Sequence, residues 1–531
     1  MLLLKEKIKG IFDKRSLLLL LLLILLYVSY LKLCDVHQKI FPGIFLNVLA
    51  FFLVLKIRGW FRYVAILYVT ITFAINITCG LLYHSRIQYF MLASAFETDI
   101  KEALGFISFS GIFPVIIFLG LPVLFAFLTS PIHTNGISWI GKTILIIIVI
   151  FPVINIAFFH HRADISRYEL KKYPFDKLSE IYDRNKFLLV RLPLLVLQYY
   201  ETTSNLEDAL TRKRLLPEGI NLLNYNDKIS PKRILFILGE SDSKWHHGIY
   251  GYEIKTDKFI QYQSGYIQNT VIFNALSPAP LTRESVPRML TFANARDFSP
   301  YINNTNIIDM AKIAGYSSFW LSKQANVGLH DTLIRIIAQS ADKTVFQSEG
   351  LDIELLKDFE RYVNKNQKQF FIMHINGSHI NYSERHDESD FMQVKDAPEA
   401  VRHYDATIVH TDRLLEELNR YADDKTLIIY CPDHGEIVNK GHGFPAKDLK
   451  QYEIPFFAWS KSHELIEQFK KSVYKNTIKD GKLFNTASLP LVFAEIMGFS
   501  VSDSYRKHEL EESEYILTAE GTVESISKFQ E

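Results

Sequence analysis

Cysteine is scarce in this chain: Cys34, Cys79 and Cys431 are the only three among 531 residues. The first two fall in long apolar runs and the third in a short one, so no disulfide framework is implied. A C-terminal region of about 300 residues buries enough core to do without one. An excess of either charge is also missing. Lys and Arg number 59 against 58 Asp and Glu, a formal net charge of +1. That balance argues against a nucleic-acid binder, for which a clustered basic face is expected. There is no internal repeat and no low-complexity tract. The first apolar run also lacks the small-residue cleavage site of a signal peptide, and it is followed by further runs, so it reads as a retained anchor.

Apolar sequence dominates the first 160 residues. Five runs, Leu17–Cys34, Ile40–Leu55, Tyr63–Leu82, Ile107–Leu128 and Ile140–Phe159, each come close to the ~20 residues that cross a bilayer. Lys5, Lys7, Lys9, Lys14 and Arg15 precede the first run, and Lys56, Arg58 and Arg62 follow the second. The alternate connections are poorer: Lys39, then Arg86 and Lys101 diluted by Glu97, Asp99 and Glu102. This asymmetry predicts a cytoplasmic N-terminus, and an odd number of spans then exports everything after residue 160. The region 161–230 reads as a connector. Its stretch FLLVRLPLLVLQYY, Phe187–Tyr200, is short for a span and carries Arg191 and Pro193. It reads as an amphipathic helix at the membrane interface, or as a helix packed on the soluble domain.

From residue 231 to 531 the texture changes. Strand-length runs (RILFIL, SSFWL, QFFIMHI, TLIIYC) alternate with helical patterns such as NIIDMAKIAG and AVRHYDATIVHTDRLLEELNRYA. Such alternation predicts an α/β domain around a mostly parallel sheet. Ligand sites in these sheets form beyond the carboxyl ends of the strands. Three of the runs end on chemistry: Glu240-Ser241, then His374 and His379, then Asp433-His434. Carboxylates and imidazole on one glycine-punctuated rim suit a divalent cation, with nitrogen favouring zinc or manganese. Any one of these residues alone is equally a solvated loop residue.

A nucleophile must come from elsewhere. Ser241 sits beside a proposed ligand and has no basic partner nearby in sequence. Thr282, in SPAPLTRESVPRMLTFA, is the better candidate. The prolines before it force an extended approach, and the segment after it reads as a helix in which Pro287 suits only the first turn. A hydroxyl there meets exposed amides and the positive end of the dipole, which also favour a phosphoryl group. The competing reading is a threonine that merely caps the helix.

In order along the chain come LGES, YGYEIKTDKF, LTRESVPRMLTF, NIIDMAKIAGYSSFW, MHINGSH, YDATIVHTD, DHGE and GHG. With these motifs the chain resembles, over nearly its whole length, the bacterial phosphoethanolamine transferases of the alkaline phosphatase and sulfatase superfamily. The resemblance implies a five-helix transmembrane domain followed by a periplasmic sulfatase-like domain in the inner membrane. It implies one tightly bound Zn2+ on Glu240, Thr282, Asp433 and His434, with a second possible, and Thr282 as the nucleophile that becomes phosphorylated. His379 and His442 would contact phosphate or a second zinc, one of them serving as general acid; His374 reads as structural. Glu97, Ser94 (where the family often has Asn) and Gln324 would contact substrate.

The implied donor is phosphatidylethanolamine and the acceptor a lipopolysaccharide core sugar or lipid A, or a periplasmic glucan. The shortage of exported cysteine, together with LTRESVPRMLTFA and SKQANVGLHD, favours the core- or glucan-modifying members. A monomer is expected. The nearest rival is a phosphoglycerol transferase with the same metal site. A formylglycine sulfatase needs a C/S-x-P-x-R pattern that is missing at the nucleophile. A catalytically dead binding protein is disfavoured, since all four ligands are in place.

Overall fold

A computed structural model of the chain describes residues 14–36, 40–57, 59–97, 112–129, 143, 188–211, 213–223, 230–265, 269–324, 333–443, 448–478, 482–519 and 521–529. The chain divides into two compact units, Met1–Phe96 with Ala103–Asn205, and Glu97–Glu102 with Leu206–Glu531.

The first unit is helical: α1 (Lys14–Leu33), α2 (Ile40–Leu55), α3 (Phe61–Tyr83), α4 (Tyr89–Glu97), α5 (Ile112–Leu128) and α6 (Leu188–Thr211). Buried residues of α1 recur at helical spacing, Leu19, Leu23, Tyr27 and Tyr30. Its other face leaves Leu17, Leu18, Leu21 and Leu25 half-exposed. A helix apolar all round is stable only where its surroundings are apolar too. Among the described residues two helices, α1 at 20 residues and α3 at 23, are long and apolar enough to cross a membrane. The apolar helices α2 and α5 are shorter, at 16 and 17 residues. Apart from Thr143, the run at 140–159 lies outside the described residues.

Helix α6 continues well past Tyr200. Its Leu188, Leu189, Val190 and Leu194 join the same apolar cluster as Leu19 and Leu23 of α1. Arg191 is tolerated there because its guanidinium donates to the Ile87 carbonyl (2.9 and 2.7 Å) and to Gln88 Oε1 (2.8 Å).

The second unit is built on an eight-stranded sheet. Its strands are β1 (Arg233–Gly239), β2 (Thr270–Leu276), β3 (Ser317–Ser322), β4 (Lys343–Phe346), β5 (Gln369–His374), β6 (Thr426–Pro432), β7 (Glu453–Trp459) and β8 (Phe484–Asn485). Their order is β4-β3-β5-β1-β6-β7-β2-β8. The sheet is mixed: β7 runs antiparallel to β6 and β2, and the other pairings are parallel. Every residue of β1 and β6 is buried, as expected of central strands covered on both faces. Alternation sends Ile234, Phe236 and Leu238 of β1 into one core, and Leu235 and Ile237 into the other. All four apolar runs read as strands are strands, and NIIDMAKIAG and AVRHYDATIVHTDRLLEELNRYA hold the helices Ile307–Ile313 and Glu399–Asn419.

Candidate active site

Parallel neighbours β5, β1 and β6 end at the same edge, so the residues just beyond them meet. Gly239 and Pro432 are register partners, which sets Glu240 beside Asp433 and His434. The tips are stitched by Asp433 N–H donating to the Gly239 carbonyl (3.1 Å) and Asp242 N–H to the His434 carbonyl (3.0 Å). The loop after β5 closes on the same point, with Ser378 N–H donating to the Glu240 carbonyl at 3.0 Å. Gly377, at φ +49°, makes this approach possible, because a Cβ there would stand 2.9 Å from the Glu240 carbonyl oxygen. Gly377→Ala is therefore expected to cost about 1–3 kcal/mol in thermal unfolding and to weaken the site by displacing Glu240.

Glu240 is 1 % exposed, and Asp433 and His434 are fully buried. His434 Nδ1 lies 2.9 Å from the Gly435 carbonyl, which can only accept, so the proton sits on Nδ1 and Nε2 offers its lone pair inward. Burial, and then the neighbouring His442, hold the imidazole well below its ordinary pKa and therefore neutral. That lone pair faces Asp433 Oδ2 at 3.3 Å and Glu240 Oε1 at 3.5 Å. Among the described residues Asp433 Oδ2 is buried without a hydrogen-bond partner, and burial pushes its carboxyl up to about 6. Three acceptors turned on one point, none of which donates to another, suit a cation. Their ligand atoms lie within 4.8 Å of one another. Separations of 3.3 and 3.5 Å also match the roughly 3.4 Å between two ligands that hold a tetrahedral ion by bonds of about 2.1 Å. The residues fit a zinc-sized divalent cation.

Thr282 closes the group. Its hydroxyl lies 3.3 and 3.4 Å from the Glu240 carboxylate oxygens and 3.2 Å from His434 Nε2. The loop between β2 and the helix α7 (Thr282–Leu290) is pinned by Ser277, whose hydroxyl reaches the Asp433 and Ala279 carbonyls at 2.5 and 2.7 Å. Leu281, in an extended conformation, is the N-cap of α7 and makes no side-chain cap. Thr282 is thus the first helical residue, and its hydroxyl faces the acids rather than capping the helix. Pro287 stands deeper in α7 than the first turn, where a helix of nine residues has few backbone bonds to lose.

The Sulfatase family matches residues 232–487, and the family described as Phosphoethanolamine transferase EptA/EptB matches residues 44–169. Phosphoethanolamine transferase EptC of Escherichia coli K12 is 25% identical over 295 residues, covering 50% of this chain and 51% of that protein. The Kdo(2)-lipid A phosphoethanolamine 7''-transferase of the same organism is 26% identical over 254 residues, 43% of this chain and 44% of that protein. The chain is similar to the phosphoethanolamine transferases. It spans about half the length of the curated relatives it matches. The integral membrane lipooligosaccharide phosphoethanolamine transferase A of Neisseria meningitidis is similar in fold, with TM-score 0.64, 18% identity and coverage of 93% of this chain and 97% of that one.

Among the residues that the transferase resemblance singled out, the structure brings Glu240, Thr282, Asp433, His434, Gln324, His379 and His442 into one neighbourhood. Gln324 donates from Nε2 to Glu240 Oε2 at 2.7 Å. The His442 ring centroid is 4.1 Å from that of His434 and 6.4 Å from that of His379. Burial, then the charges of Arg385 and His442, push the His379 imidazole down to about 3. His374 packs edge-on against Trp320 and is pushed down to about 3 by burial. Ser94 and Glu97 belong to α4, but their side chains lie outside the described residues, as do residues 325–331 of SKQANVGLHD.

Two features were missed in the sequence. Glu436 Oε2 lies 2.8 Å from His442 Nδ1, while its other oxygen accepts from the Tyr382 hydroxyl at 2.7 Å. The only signal was its place in DHGE. Behind the site, His247 is clasped between Asp242 (2.9 Å) and Asp257 (3.3 Å). Burial would lower this imidazole, but the two carboxylates outweigh it and hold it up to about 10. A second acidic cluster, Asp387, Asp390 and His410, already holds a cation of its own: Arg413 reaches Asp387 at 2.6 Å and Asp390 at 2.9 Å.

Proposed function

We propose that the protein transfers phosphoethanolamine from phosphatidylethanolamine to a lipopolysaccharide acceptor, a core sugar or lipid A, by way of a phosphorylated Thr282. The observation that carries this reading is the convergence of two buried carboxylates and an unprotonated imidazole nitrogen on one threonine hydroxyl at a helix N-terminus. Glu240, Asp433 and His434, with the Thr282 oxygen, would hold the zinc ion. Bound there, zinc would lower the pKa of the Thr282 hydroxyl and take up charge on the phosphoryl oxygens.

Thr282 Oγ1 forms the new bond to phosphorus, and the diacylglycerol oxygen leaves with a proton. In the second half an acceptor hydroxyl attacks the same phosphorus, loses its proton and frees Thr282. The positive end of the α7 dipole, at Thr282, supports the charge in both transition states. His442 is the better placed acid, because Glu436 orients its ring at 2.8 Å, whereas burial holds His379 neutral. Glu436→Gln is expected to slow transfer roughly 10–100-fold with little change in donor KM; Tyr382→Phe, one bond further out, should cost less.

Residues 1–160 form the transmembrane domain of five helices in this reading, 161–230 the connector, and 231–531 the periplasmic catalytic domain. Lys and Arg before α1 and between α2 and α3 support a cytoplasmic N-terminus. A lipid donor explains why a soluble fold carries a membrane half. The test is to incubate the purified protein with phosphatidylethanolamine and no acceptor, then take the mass of the Thr282 peptide. A phosphoethanolamine adduct is expected. A glycerophosphate adduct from phosphatidylglycerol would mean a phosphoglycerol transferase instead, and no adduct from either lipid sinks the reading. Mass spectrometry of lipopolysaccharide and glucans from a deletion strain identifies the acceptor.

A further inference from the structure

We propose that Ser241 is a positioning residue that holds both metal-binding carboxylates at once, an inference that rests on the metal-site reading above. Ser241 is fully buried and takes φ +52°, the left-handed region that a serine adopts only when its surroundings compel it. That turn points two donors of one residue back at the site. Its N–H donates to Asp433 Oδ1 at 3.1 Å, and its hydroxyl donates to Glu240 Oε1 at 2.8 Å.

The third polar group of Ser241 is also engaged. Its carbonyl accepts from the Tyr404 hydroxyl at 2.9 Å, and that hydroxyl in turn accepts from Ser243 N–H at 2.8 Å. Tyr404, buried on the helix Glu399–Asn419, therefore locks the turn from outside. Gln324 supplies the complementary hold on Glu240 Oε2. A carboxylate gripped at both oxygens cannot rotate away when the site is empty, so it meets the ion already oriented. The same bonds explain why Ser241, although adjacent to a ligand, is not the nucleophile: its hydroxyl is committed to Glu240.

The experiment is a zinc titration of the full-length protein in detergent against a competing chelator, for wild type, Ser241→Ala and Ser241→Gly. Both variants lose the hydroxyl, and glycine also suits the left-handed backbone. We expect zinc affinity to fall roughly 10–100-fold in both. Raising free zinc by the same factor should restore Thr282 phosphorylation by phosphatidylethanolamine, which a misfolded site would not allow. Should Ser241→Ala fail to fold, Ser241→Gly carries the measurement. Wild-type zinc affinity in both variants overturns the positioning role. Failure of the wild type itself to bind zinc overturns the metal-site reading instead.

Discussion

Thr282→Ala is expected to abolish transfer, by about four orders of magnitude or more, while leaving the fold and most of the metal binding intact. The hydroxyl is the group that would form the bond to phosphorus, and the neighbouring hydroxyl of Ser241 cannot replace it, being buried and committed to Glu240. Folding should survive, because Thr282 contributes no cap to α7. Zinc should still bind, because Glu240, Asp433 and His434 converge without it. The readouts are turnover of labelled phosphatidylethanolamine, absence of a phosphorylated peptide, and zinc content. Full activity in this variant would remove the nucleophile and with it the double displacement.

Asp433→Ala is expected to lose zinc and activity together. Among the described residues Asp433 Oδ2 is a buried acceptor without a hydrogen-bond partner, so truncation removes both a ligand atom and a negative charge that would hold the cation. Asp433 Oδ1 also receives the N–H groups of Ser241 (3.1 Å) and His434 (2.7 Å), so its truncation loosens both neighbouring positions. Metal content near zero after purification, with activity at background, is the expected result; Glu240→Ala should behave alike. Retention of stoichiometric zinc in both variants would place the ion elsewhere. The contrast with Thr282→Ala, inactive but metal-loaded, separates ligand from nucleophile.

Much of this was legible in the chain because the signals are local. Apolar runs of membrane length, strand-length runs ending on Glu240 and Asp433-His434, and the proline-led approach to Thr282 need no knowledge of distant contacts. The length of α6 was less legible, because the apolar stretch that reads as a helix ends at Tyr200 and carries Arg191 and Pro193. Burial against α1 and three hydrogen bonds to residues 87 and 88 carry the helix through. Glu436 was hidden for a related reason: its value lies in a 2.8 Å contact with His442, six residues along an irregular loop with no periodicity to announce it.

By itself, then, the sequence determined which segments are apolar, which alternate as strands and helices, and which residue types stand at their ends. Only the tertiary structure decided that β5, β1 and β6 lie side by side with their ends level, so that residues from 240 to 434 share one small volume. It also decided that His434 presents a lone pair, that Thr282 faces acids rather than caps a helix, and that the Ser241 hydroxyl turns to Glu240. Periodicity is written in neighbouring residues and survives in the linear chain. The direction of a single oxygen or nitrogen is set by long-range register and by hydrogen bonds that exist only once the sheet has formed.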